Sequence, residues 1–252
     1  MILKMPITTS KIMFKSIKNF KKKLPSNINF HITNIYHDYS TNRKMTNNLS
    51  LKNNNKKYVL DNRKYLKKKL AVKKIIYTNQ THSTKIIEHY KTPFALQGDG
   101  MILKSKIGYC VTTADCLPIL FCSTDGNYFG GIHCGRRGLI NGIIENLLEI
   151  IKDKGEFMFL FCPSICAEHY EVDENIFLLI KSKYHFYKKI IKKNQFGKFN
   201  LNLKLLAYYI FQSKKYTSLF IDSRCTYENK ELFSYRKNQT TERFGSLIWK
   251  SN

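Results

Sequence analysis

The chain has 252 residues, enough for one large domain or two small ones, and either buries a sizeable core. A hydrophobic content of 43%, with 17 Phe and 16 Tyr, excludes a disordered protein, and no apolar run reaches the length of a membrane span. The net charge of +25 rests mostly on lysines scattered along the whole chain beside abundant Asn, Ile and Tyr, which fits the residue usage of an AT-rich genome better than a concentrated nucleic-acid-binding face.

Residues 1–23 read as a basic N-terminal extension. Residues 4–23 mix Ile12, Phe14, Ile17 and Phe20 with many lysines. The segment lacks the arginines of a transit peptide and the apolar core of a secretory signal, so it is assigned to the surface. Residues 24–252 read as one domain. Residues 40–57 are polar and suit a long loop, and 61–70 suit a short basic helix. A strand over 74–77 runs into Asn79-Gln80-Thr81-His82. Residues 86–88 continue in extended form, and 93–100 carry turn residues. Buried strands are expected over 107–112, 119–122 and 128–133, with a turn at 123–127. Leu139, Ile140, Ile143, Ile144, Leu147, Leu148 and Ile151 recur at helical spacing, which predicts one helix with an apolar face. Further on, the pattern predicts a strand over 157–161, a helix over 174–184 and a helix over 201–212 capped by Asn200. Another strand is expected over 218–222, an extended segment over 231–236 and a terminal strand over 246–249. This irregular alternation predicts an α+β fold, a single domain of mixed β-sheets covered by helices.

Seven cysteines, an odd number with no Cys-x-x-Cys pair, do not form a disulfide framework. They fit a reducing cytoplasm, where most are small core residues. Three polar residues sit at the ends of apolar strands: His82, Cys116 and His133. Two imidazoles and a thiolate are a zinc-type donor set, and three protein ligands leave a fourth position for catalysis. The same residues admit other readings. Each suits a hydrogen-bonded histidine or a buried thiol, and Cys116 with His133 suits a nucleophilic pair, with Asp115 orienting the base. The turn from Gly135 to Gly138 opens a helix, so its N–H groups, with Arg136 and Arg137, suit a phosphate. It equally suits an ordinary strand-to-helix turn.

Longer motifs decide among these. Thr112-Thr113-Ala114-Asp115-Cys116-Leu117-Pro118-Ile119-Leu120 resembles the TADCLPVL signature of the laccase-domain family, once described as multicopper polyphenol oxidases and now regarded as zinc-containing purine nucleoside phosphorylases. Gly131-Ile132-His133-Cys134-Gly135-Arg136-Arg137-Gly138 resembles its AAHAGWRG signature. Asn79 to His82 resembles its QVHG segment, and Gly98-Asp99-Gly100 its ADG. Asn48-Leu49, Asn62-Arg63, the segments 161–165 and 170–172, Arg224-Cys225-Thr226-Tyr227 and Phe233-Ser234-Tyr235-Arg236-Lys237 extend the likeness over nearly the whole chain after about Leu24. Arg136 departs from the family Trp, Cys134 from a small Ala, Cys162 and Cys166 from glycines, and Glu242 from the Gly before the retained Arg243.

The resemblance implies zinc held by His82, Cys116 and His133. It also implies phosphorolysis of adenosine, inosine or guanosine to free base and ribose 1-phosphate, with methylthioadenosine phosphorolysis and adenosine deamination as further activities. Glycosidic cleavage builds positive charge on ribose and negative charge on the leaving purine. The phosphate needs cationic donors: Arg63 first, by its NR motif, then Arg137 and the helix N-terminus at Gly135 and Gly138. Asp99 is expected either to position a ligand histidine or handle a proton, or to be a turn residue. The expected partners are purine nucleosides and phosphate, with no specific nucleic acid and no membrane, in the cytoplasm. Copper fits less well than zinc, because one His₂Cys site does not serve a multicopper mechanism. Two alternatives from other classes are a metal-free cysteine hydrolase built on Cys116 and His133, and a basic nucleic-acid-binding protein without catalysis.

Overall fold

The structure is a computed structural model that describes residues 15–36, 46–51, 55–94 and 96–251. The first half of the chain contains β1 (Lys15–Ser16), α1 (Ile17–Lys23), β2 (Ile28–Ile32), α2 (Lys56–Lys69), β3 (Ile75–Tyr77), β4 (Ile86–Glu88) and β5 (Gly100–Leu103). The centre contains β6 (Gly108–Thr113), β7 (Leu117–Ser123), β8 (Phe129–Cys134), α3 (Arg136–Asn141), α4 (Ile143–Ile151) and β9 (Phe157–Phe161). After a 3₁₀ turn at Ala167–His169 come β10 (Glu171–Val172), α5 (Glu174–Lys183), α6 (Tyr187–Ile190), β11 (Ile191–Lys193) and β12 (Phe199–Leu201). The chain ends with α7 (Leu203–Ser213), β13 (Leu219–Ile221), α8 (Tyr235–Asn238) and β14 (Phe244–Lys250).

A mixed seven-stranded sheet, ordered β1-β13-β9-β7-β8-β5-β4, forms the middle layer. Every residue of β7, β8 and β9 is buried, as expected of strands covered on both faces. Their side chains alternate between two cores. Leu117, Ile119 and Phe121 pack with Phe159, Phe161 and the apolar faces of α4 and α7. Leu120 and Cys122 face the other way, joining Met158, Leu160, Tyr109, Val111 and Ile248. The second group fills the space against a four-stranded sheet, β2-β14-β6-β3. The order is therefore helices, large sheet, small sheet, with a three-stranded β10-β12-β11 sheet beside them. This is the expected class of mixed sheets covered by helices.

Close approach of the layers explains two glycines. A Cβ at Gly130 would lie 1.9 Å from the carbonyl oxygen of Met101, and one at Gly131 would lie 2.9 Å from Val111 Cγ2. Gly130→Ala must push β8 away from β5. We expect it to cost about 1–3 kcal/mol by overpacking, read as a lower urea midpoint with an unchanged slope.

Several elements differ from the sequence expectation. The helix expected over 139–151 is two helices, because Gly142 adopts φ 99° and ends α3 with a left-handed cap. The cap of α7 is Asn202, whose side chain accepts from the Leu205 N–H, whereas Asn200 lies within β12. The segment expected to stay extended over 231–236 turns into α8, with Ser234 accepting from the Lys237 N–H. Within 1–23, residues 1–14 lie outside the described residues. The remainder is not a surface extension throughout: β1 pairs with β13, and Phe20 of α1 is fully buried, 5.3 Å ring to ring from both Phe30 and Phe220. Lysines on the outer face of α1 hid this single anchor. Of the expected loop over 40–57, residues 40–45 and 52–54 lie outside the described residues, while Asn47, Asn48, Leu49 and Ser50 are buried. No helix among the described residues is long and apolar enough to cross a membrane.

Candidate metal centre and its cleft

The chain passes from the small sheet to the large one on the links after β3 and after β6. Each link carries a non-glycine residue at positive φ, His82 at 62° and Asp115 at 95°. Such backbone persists only where its surroundings hold it. For the first link the holder is Asp99, fully buried at the start of β5. Its carboxylate accepts from the N–H groups of Thr81 at 3.0 Å, His82 at 2.9 Å and Ser83 at 2.7 Å, and from the Ser83 hydroxyl at 2.7 Å. It also meets His133 Nδ1 at 2.8 Å. Burial opposes ionisation of Asp99, yet the His133 and Ser83 hydrogen bonds win and hold the carboxyl well below the usual carboxylate range.

For the second link the holders are Thr226, whose hydroxyl donates to Asp115 Oδ1 at 2.7 Å, and the Arg236 N–H, which donates to Oδ2 at 2.6 Å. Asp115 therefore does not orient the base, as the cysteine-pair reading supposed; Asp99 is the carboxylate on His133. Cys116 follows at the start of β7, in register beside the end of β8, where Leu117 pairs with Cys134. His133 leaves β8 on the face of Gly131, toward the small sheet, and Cys134 points into the opposite core.

The donor atoms of His82, Cys116 and His133 thus converge, all within 4.8 Å of one another. Cys116 Sγ is 3.7 Å from His82 Nε2, and the two rings meet edge to face at 4.7 Å. Burial raises the cost of a thiolate at Cys116, but His133 and His82 beside it bring the thiol down to about 6. His133, despite its burial, is pushed up to about 9 by Cys116 and Asp99. These neighbours favour the thiolate, the form that ligates metals.

The residues fit a metal. Asp99 takes Nδ1 of His133 and leaves Nε2 as the remaining ring donor, the usual way a carboxylate orients a ligand imidazole. Gly135 keeps the neighbouring space open: a Cβ there would lie 2.5 Å from His82 Cδ2 and 3.3 Å from Cys116 Sγ. Because Gly135 has φ −67°, alanine suits its backbone. Gly135→Ala should therefore fold normally while turning the His82 ring aside. We expect metal affinity to fall about 10–100-fold, read by competition with a chelator; unchanged affinity would contradict the placement of His82.

The three donors open on a cleft of about 830 Å³. Arg63, Arg136, Arg137, Arg236 and Arg243 line it, five of the seven arginines in the chain, and no lysine among the described residues does. Arg63 stacks on Tyr77 at 3.8 Å and donates through Nε and Nη2 to the Leu49 carbonyl at 3.0 and 2.6 Å. Arg236 donates to the carbonyls of His169 at 3.3 Å and Glu171 at 3.1 Å. Arg243 donates to those of Thr240 at 2.8 Å and Glu242 at 2.7 Å. Tyr170 and Tyr235 add aromatic walls. Arg137 lines the cleft. Gly135 and Gly138 are close-packing positions, the latter 3.1 Å from the Ser83 carbonyl by its missing Cβ. Sequence reasoning did not single out Arg236, Arg243, Tyr170 or Tyr235 as site residues, although all four lie in or next to the matched motifs.

A domain of this architecture has known counterparts. The chain belongs to the family described as multi-copper polyphenol oxidoreductase laccase, which matches residues 31–251. A curated relative from Campylobacter jejuni, named a purine nucleoside phosphorylase, is 30% identical over 71% of this chain and 78% of its own. Another of that name, from Haemophilus influenzae, is 32% identical over 77% of this chain and 82% of its own. A crystal structure from Neisseria meningitidis superposes with a TM-score of 0.81 at 28% identity, covering 90% of this chain and 96% of that one.

Proposed function

We propose that this chain is a zinc-dependent purine nucleoside phosphorylase that converts adenosine, inosine or guanosine and phosphate to free base and ribose 1-phosphate. The observation that carries the reading is the convergence of His82, Cys116 and His133 on a cleft lined, among the described residues, by five arginines and no lysine. Guanidinium forks suit a phosphate dianion better than ammonium groups do. The names of the relatives support the same reaction.

In this reading a phosphate oxygen forms the bond to C1′ of ribose as the bond from C1′ to the purine nitrogen breaks. The electron pair leaves with the base, which then gains a proton. Zinc, when bound by His82, Cys116 and His133, supplies Lewis acidity at that end of the cleft. Arg137, Arg136 and Arg243 hold phosphate by charge and position it for attack. Arg63, tied to Leu49 and stacked on Tyr77, contributes one fixed charge. Tyr170 and Tyr235 offer ring faces to the purine. Asp99 acts at one remove, by holding the His82 link and the His133 ring.

The test is product analysis of purified protein with adenosine, inosine and guanosine, with and without phosphate. Base release that requires phosphate, with ribose 1-phosphate formed in equal amount, is the expected result. Base released equally without phosphate would overturn phosphorolysis. Inosine formed from adenosine without phosphate would add the deaminase activity.

A further inference from the structure

Four side chains that this chemistry does not use meet on the far side of the cleft wall. Cys166 and His169 flank and end the 3₁₀ turn; Cys225 and Glu228 follow β13. Their donor atoms all lie within 4.8 Å of one another. Cys166 Sγ is 3.1 Å from His169 Nδ1 and 3.9 Å from Glu228 Oε1, and His169 Nδ1 is 3.6 Å from Glu228 Oε1. Ligands of a tetrahedral zinc, at bonds of about 2.0–2.3 Å, stand about 3.3–3.8 Å apart. The Cys166 N–H donates to Cys225 Sγ at 3.2 Å, a contact suited to a metal-bound thiolate. The His169 ring lies flat on Tyr227, 4.1 Å away and 15° from parallel, which fixes its plane. The sequence supplies both halves with one spacing, Cys-x-x-His and Cys-x-x-Glu, so each half delivers two donors from one tight turn, as zinc knuckles do.

We propose that Cys166, His169, Cys225 and Glu228 form a second metal site, a closed four-ligand site for zinc whose role is structural. Two sulfurs, one imidazole and one carboxylate select a borderline-soft divalent ion over magnesium or calcium. The ion staples the segment after β9 to the segment after β13, which also meet through the bridge between Ser164 and Cys225, the Thr226 N–H donating to the Ser164 carbonyl at 3.2 Å, and the Cys166 N–H on Cys225 Sγ. These segments carry the cleft. The Ile165 N–H donates to the Asp115 carbonyl at 2.9 Å and Thr226 holds the Asp115 side chain, while the guanidinium of Arg236 rests on the His169 and Glu171 carbonyls. A metal here fixes the wall bearing Tyr170 and Arg236 without touching substrate.

The experiment measures zinc uptake, not turnover, so it stands apart from the phosphorylase reading. Protein purified under reducing conditions is stripped of metal and reloaded with zinc or cobalt. Wild type should take up two equivalents, Cys116→Ala and His82→Ala one each, and Cys116→Ala combined with Cys225→Ser none. Cobalt in the Cys116→Ala chain should give tetrahedral d–d bands and strong thiolate charge transfer. Adding Cys225→Ser should abolish that charge transfer together with the metal, and adding His169→Gln instead should lower affinity while both sulfurs remain. A folded Cys116→Ala or His82→Ala chain that binds neither ion would overturn the proposal. So would peptide mapping that finds Cys166 and Cys225 joined as a disulfide in the reduced preparation.

Discussion

Cys116→Ala is expected to lose the metal of the cleft and about 10³-fold in turnover, equivalent to about 4 kcal/mol of barrier, while the protein stays folded. The sulfur stands 3.7 Å from His82 Nε2 and is the sole anionic donor of the three. Without it, two imidazoles remain, too few for a stable zinc site. Its backbone sits where β7 begins, a position any residue can take, and its side chain is partly exposed, so little packing is lost. Metal analysis, circular dichroism and steady-state assays of the variant check all three parts. A metal-free variant with wild-type activity would remove the basis of the metal mechanism and favour a reading without metal. The cysteine hydrolase alternative predicts loss of activity too, but with no zinc in the wild-type protein, so metal content separates the two.

Asp99→Ala is expected to be the most destabilising change at the site, by about 3–5 kcal/mol, because it strips a buried charge from the groups that depend on it. Three consecutive backbone N–H groups, a hydroxyl and His133 all turn toward this carboxylate. Removing it leaves those donors without their acceptor and releases the strained backbone at His82. Metal affinity should fall as well, by about 10–100-fold, since the ring of His133 loses its orienting partner. Asp99→Asn should lie between wild type and Asp99→Ala, because it keeps an oxygen acceptor but not the charge. Denaturant unfolding gives the first quantity and chelator competition the second. An Asp99→Ala protein as stable as wild type would show that the link is held by something else.

The sequence revealed the central strands because β7 and β9 read as almost unbroken apolar runs, and β6 and β8 as β-branched and aromatic residues closed by a polar end, all of them largely buried. His82, Cys116 and His133 were visible as polar residues at strand ends, and their motifs tied them together. What brings them into one place was not visible. His82 and Cys116 each ride a link that crosses between sheets, and a crossing leaves no local pattern. β5 escaped notice because its four residues, Gly-Met-Ile-Leu, directly follow turn residues. The lining arginines after α7 were hidden for another reason: Arg236 lies in a segment read as extended and Arg243 just before the last strand, and the register of β14 against β6 brings Arg243 beside Thr113 at the cleft. The cluster at Cys166 and Cys225 carries no Cys-x-x-Cys signature, because the second donor of each pair is His or Glu.

The split between the two basic residue types has a practical outcome. Reagents that acylate amines would neutralise much of the outer charge of this protein and leave the guanidinium forks of its cleft intact. Solubility and catalysis are therefore separable by chemistry: mutational drift can exchange the outer lysines freely, whereas a guanidinium traded for an amine inside the cleft would forfeit two-point grip on an oxyanion.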